Sequence, residues 1–139
     1  MVHERPYGMQ DYFRWYNPKE VPKFVAPADF DGVLQSNKWD QALMFEFKPA
    51  HAEITVGQKL TMEWFSKREG ITGILIKDPF YSENSGETMD LDTKVEVTLY
   101  VNGKGYTLAL VTLQDINDAI SNWWNKGEFK SFLKERSLV

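Results

Sequence analysis

Apolar and polar positions alternate most clearly in the middle of the chain. In Gln41–Lys48, Leu43, Phe45 and Phe47 fall on one side, opposite Glu46 and Lys48, the period-2 pattern of a half-buried strand. Ile54–Val56 leads through Gly57-Gln58 into Lys59–Phe65, where Leu60, Met62 and Trp64 alternate with Thr61 and Glu63, so a further strand is predicted there. Ile71–Ile76 is a short apolar run that fits a strand buried on both faces. Lys94–Val101 places Val95, Val97, Leu99 and Val101 together, and Asn102-Gly103 is the dipeptide of a type I′ turn. Tyr106–Val111 is then the returning strand of a hairpin.

After Val111 the period changes. Thr112 and Asp115 have the spacing of a helix start, with the threonine oxygen capping a free N–H and the acid favoured by the helix dipole. Leu113, Ile116, Ile120 and Trp123 or Trp124 then recur at helical spacing. Gly127 interrupts the helix, and Glu128–Arg136 can form a short second one with Phe129, Phe132 and Leu133 on its apolar side. The expected fold is α+β or mainly β, an antiparallel meander or sandwich of about five strands followed by C-terminal helix.

The first thirty residues read differently. Four of the six prolines (Pro6, Pro18, Pro22 and Pro27) lie there among seven aromatic residues. Proline at that density prevents a continuous helix or central strand. The expected organisation is an extended aromatic arm over 1–30 and one globular domain over 31–139, with a helical segment over 113–136. Ordering so much irregular chain is entropically costly, so the arm needs a large apolar contact. Tyr12-Phe13-Arg14-Trp15-Tyr16 is its densest cluster and the expected partner-binding segment, because Trp, Tyr and Arg dominate interface energetics.

Two short stretches resemble known families, and neither assigns the chain to one. Residues 53–64 resemble a strand pair of immunoglobulin-like sandwiches, without the cysteine pair of true immunoglobulin domains. Ser121–Asn125 is similar to an aromatic stretch of actinoporin cytolysins but sits inside a helical pattern, so no residue role follows.

Charge and composition narrow the functional classes. With 16 Lys+Arg against 20 Asp+Glu the net charge is −4, which disfavours general nucleic-acid binding. The absence of cysteine removes disulfides, thiol catalysis and cysteine-based metal sites. No apolar run is long enough to span a membrane, and the N-terminus lacks the apolar core of a signal peptide, so a cytoplasmic or virion location is expected.

Candidate chemistry is sparse. Asp90 and Asp92, with Glu87 and Asp78 nearby, put hard oxygen ligands in a loop of the kind Ca²⁺ prefers, but their spacing is not that of an EF-hand, and a solvated acidic loop is the ordinary reading of such charge. His51 and Glu53 would share one strand face, too few ligands for a metal site. Glu46, Glu63 and Glu96 on adjacent strands would give carboxyl pairs about 5–9 Å apart, as glycoside hydrolysis needs, although alternating glutamates are also the ordinary outer face of a sheet. Lys126, Lys130 and Lys134 form a basic ridge at helical spacing.

No phosphate loop, nucleophile elbow or dinucleotide fingerprint is present, and no cofactor is implied. Among the five tryptophans, Trp64 and one of Trp123-Trp124 are expected in the core, while Trp39 and Trp124 are candidates for stacking a ligand such as a carbohydrate. The leading expectation is therefore a non-catalytic structural or interaction subunit of a homo-oligomer or larger complex. A carbohydrate-binding β-sandwich is the alternative, and a small carboxylate-dependent hydrolase the third.

Overall fold

A computed structural model describes Arg5 and residues 30–49, 52–78, 90–108 and 110–129. Among them run β1 (Gly32–Ser36), β2 (Gln41–Pro49), α1 (Val56–Ser66), β3 (Ile71–Asp78), β4 (Lys94–Val101), β5 (Lys104–Thr107), β6 (Val111–Thr112) and α2 (Leu113–Lys126). The strands form one mixed sheet in the order β1-β2-β3-β4-β5, and β6 also pairs with β4. This is an α+β fold. The N-terminal arm expected over 1–30 lies outside the described residues, apart from Arg5 and Phe30, and so does most of the expected second C-terminal helix.

The hairpin forms as its turn dipeptide requires. Asn102 and Gly103 have φ of 55° and 82°, and β5 returns in register from Lys104 opposite Val101 to Thr107 opposite Thr98. The returning strand is shorter than Tyr106–Val111 predicts, because β5 ends at Thr107, after which the Leu108 N–H still bonds the Val97 carbonyl at 2.8 Å, and a separate strand, β6, pairs with β4 at Val111. Helix α2 starts at Thr112, whose side chain accepts from the Asp115 N–H while the Asp115 carboxylate accepts from the Thr112 N–H. It ends at Gly127, whose φ of 71° is the left-handed conformation that glycine adopts without strain.

Two expectations are corrected. Residues 59–65 belong to α1 and form no strand, so the likeness of 53–64 to a sandwich strand pair is not structural. Nor is the sheet an antiparallel meander, since β2 and β3 run parallel, Ala42 beside Ile71 through Pro49 beside Asp78, and the described strands form a single sheet. Parallel neighbours need a crossover, and α1 supplies it. Its N-terminus is a second capping box, with Thr55 and Gln58 each accepting from the other's backbone N–H at 3.1–3.2 Å. Strand β1, which no local pattern marks, adds an edge to β2 with Leu34 opposite Leu43.

Register sorts the side chains onto two faces. Leu34, Leu43, Phe45, Ile74, Ile76, Val97 and Leu99 point to one face and form a continuous core with Val95, Val111, Ile116, Ala119, Trp123 and Phe129. Helix α2 covers this face. Met44, Glu46, Gly73 and Tyr100 point to the other, where α1 lies over β3, β4 and β5. The approach is close at Gly73: a Cβ there would stand 3.1 Å from Tyr100 Cβ and 3.2 Å from Met62 Sδ.

Candidate functional site

Three tryptophans gather where the β1–β2 turn meets the end of α2. Trp123 is buried, and its indole N–H donates to Gln41 Oε1 at 2.7 Å. The Gln41 amide in turn donates to the Gly127 carbonyl at 3.2 Å. Trp39 lies against Gly127, where a Cβ would come within 2.9 Å of the ring, and its indole N–H donates to the Trp124 carbonyl at 2.9 Å. These bonds satisfy carbonyls that a helix end otherwise leaves open, and they hold the turn rigidly to the helix. Two residues named from the sequence as a ligand pair, Trp39 and Trp124, are thus brought together from 85 positions apart. Trp39 is committed to holding the helix end. Trp124 is not: its indole stands 53% exposed and tilts 55° from Trp123.

Two grooves meet at Trp124 and Asn125. One, of about 380 Å³, is closed by Leu34, Ile120 and Ser121, and the other, of about 330 Å³, by Gln35, Ser36, Asn37 and Lys38. Lys38 lies 4.9 Å from the Trp39 ring centroid, a cation–π distance.

A second surface lies on the outer side of α1. Val56, Leu60 and Trp64, spaced four apart, are 75%, 59% and 50% exposed and line one side of the helix. Trp64 is held in place. The Arg68 guanidinium sits 3.3 Å from its ring centroid and donates to its carbonyl at 2.6 Å, while Phe65 meets the indole edge-on at 4.9 Å. The expectation of Trp64 in the core is corrected, since the helix turns it outward and buries Gln58, Met62 and Ser66 instead. Sequence reasoning missed this ridge because residues 59–65 read as a strand; the Thr55-x-x-Gln58 capping box was the available signal.

The carboxylates do not converge. Glu63 is on α1, and Glu46 and Glu96 lie on β2 and β4 with β3 between them. Strands two apart are separated by about 10 Å, and Glu46 aligns through Leu75 with Thr98, two residues from Glu96. The three adjacent-strand glutamates of the hydrolase reading are therefore corrected. Glu46 is nevertheless unusual. It is 5% exposed, pairs with Lys48 at 3.3 Å, and leaves Oε2 buried without a hydrogen bond. Burial and, less strongly, the nearby Asp31 carboxylate push its pKa up, against the opposing pull of Lys48 and Gln58. Burial also raises the Tyr100 hydroxyl, helped by Glu63.

Asp90 caps its own turn, with Oδ1 accepting from the Asp92 N–H at 2.9 Å and from the Thr93 hydroxyl. Among the described residues no group of three or more His, Asp or Glu side chains could hold a metal ion. Glu87, His51 and Tyr12–Tyr16 lie outside the described residues. Glu53 pairs with Lys77 at 2.5 Å. No helix among the described residues is long and apolar enough to cross a membrane. Comparison of the chain with known protein families, curated proteins and solved structures finds no significant match.

Proposed function

We propose that the protein is a non-catalytic interaction subunit that docks a protein partner through the outer face of α1. The observation that carries this reading is the Val56–Leu60–Trp64 ridge, three large apolar side chains on one exposed helical stripe. Isolated surface apolar residues are normal, whereas a contiguous row marks an interaction site. Tryptophan and arginine are the residues that most often anchor interfaces, and Arg68 holds Trp64 before any partner arrives. A helix face with anchors at i, i+4 and i+8 suits a groove on the partner.

A photo-crosslinking amino acid at position 60, in the full chain in its native cells, tests this. A discrete adduct with one protein, whether another chain or a second copy, that disappears in Trp64→Ala supports the reading. No adduct, or adducts indifferent to Trp64→Ala, refutes it.

A further inference from the structure

The groove at Trp124 is independent of the α1 ridge, and its chemistry is specific. The Trp39 and Trp123 indole N–H groups are both bonded within the protein, whereas the Trp124 N–H has no partner among the described residues. Ser36 is 2% exposed, lines the groove, and its hydroxyl is likewise without a partner there. Among the described residues the Asn125 side-chain amide makes no bond, and Asn37 uses only its oxygen, which accepts from Gln35 at 3.3 Å. A half-exposed indole face is therefore ringed by neutral donors and acceptors that the described residues leave unused.

We propose that this groove binds a saccharide. The apolar C–H face of a sugar ring stacks on the electron-rich Trp124 indole face. Its hydroxyls, each both donor and acceptor, bond the Trp124 N–H, the Ser36 hydroxyl and the Asn37 and Asn125 amides. A hydrocarbon would match the Leu34 and Ile120 side but would strip water from Ser36 without replacing its hydrogen bonds. An anionic ligand would find one cation, Lys38, already placed over Trp39. Combined, the two grooves fall within the usual range for small-ligand sites, roughly 300–1,000 Å³. They are shallow, so the affinity expected is about millimolar.

The test is a ¹H–¹⁵N NMR titration of the full chain with methyl glycosides of glucose, galactose, mannose and N-acetylglucosamine, each to about 50 mM. The expected result is a saturable shift of the Trp124 indole and Asn125 amide signals with at least one sugar. Trp124→Ala, followed through the Asn125 and Trp39 signals, should weaken binding at least tenfold, and Ser36→Ala severalfold. Because Trp124 is half exposed, its removal spares the core, and unchanged dispersion of the Val97 and Leu99 amides verifies this. No saturable shift with any of the four sugars, or a titration unchanged by Trp124→Ala, overturns the proposal.

Discussion

Helices α1 and α2 begin alike and then stand in opposite relation to the sheet. Each starts with a threonine capping box, Thr55 with Gln58 and Thr112 with Asp115. Helix α2 buries Ile116, Ala119 and Trp123 and carries an acid in its first turn and a lysine in its last, the ordinary distribution for a helix driven onto a core. Helix α1 buries Gln58, Met62 and Ser66 and leaves Val56, Leu60 and Trp64 in solvent. Its own apolar stripe does not explain where it sits. It lies where the crossover from β2 to the parallel β3 must pass, with Met62 against the bare backbone of Gly73 and the Ser66 hydroxyl accepting from the Gly103 N–H at 3.1 Å. One helix spends its apolar surface on folding, and the other keeps it available.

Substitutions can break or sharpen that contrast. The largest effect belongs to α2. Trp123→Ala should cost about 3–5 kcal/mol in urea denaturation, through the cavity and the lost bond to Gln41. On α1 the one deeply buried apolar side chain is Met62, and Met62→Ala should cost about 2–4 kcal/mol; a loss under about 1 kcal/mol would show that α1 rests loosely on the sheet. The caps should be equivalent, with Thr55→Ala and Thr112→Ala each lowering stability by about 1 kcal/mol. A marked inequality would mean that one helix is held mainly by tertiary contacts.

Glu46 beneath the N-terminal turn of α1 gives a pH test. Its pKa is raised in the fold, so the native state binds that proton more tightly than the unfolded chain does. Stability should therefore fall as pH rises above the ordinary value of 4.5 towards the raised one, and then stop falling. Glu46→Gln should remove that decline from a series of urea midpoints against pH, and a profile unchanged by the substitution would show that the buried carboxylate is not its source. The smallest stability effect is expected at the ridge, where Leu60→Lys should change the unfolding free energy by less than about 0.5 kcal/mol while abolishing the adduct formed when the photo-crosslinking residue is placed at position 56 instead.

What could be read in advance was what neighbours in sequence decide. The 94–107 hairpin follows from alternation around Asn102-Gly103, and α2 from its cap, its stripe and Gly127, because those signals act within a few residues. Helix α1 is not legible in this way, for a physical reason: with its apolar stripe facing water, the order Leu60-Thr61-Met62-Glu63-Trp64 shows a period of two as readily as a helical one. The candidate groove was half legible. Trp39 and Trp124 stood out as residue types, whereas Ser36, Asn37 and Asn125 gain meaning only once β1 and the end of α2 are adjacent.

The chain by itself therefore determined its local elements, the absence of thiol chemistry, and the tryptophans available for contacts. Only the tertiary structure decided that β2 and β3 run parallel, that α1 shows its apolar side to solvent, and that Trp124 rather than Trp123 stands free. Those outcomes depend on pairings between residues far apart in sequence, whose free energy comes from sheet register and from burial on two faces at once. No local pattern carries that information.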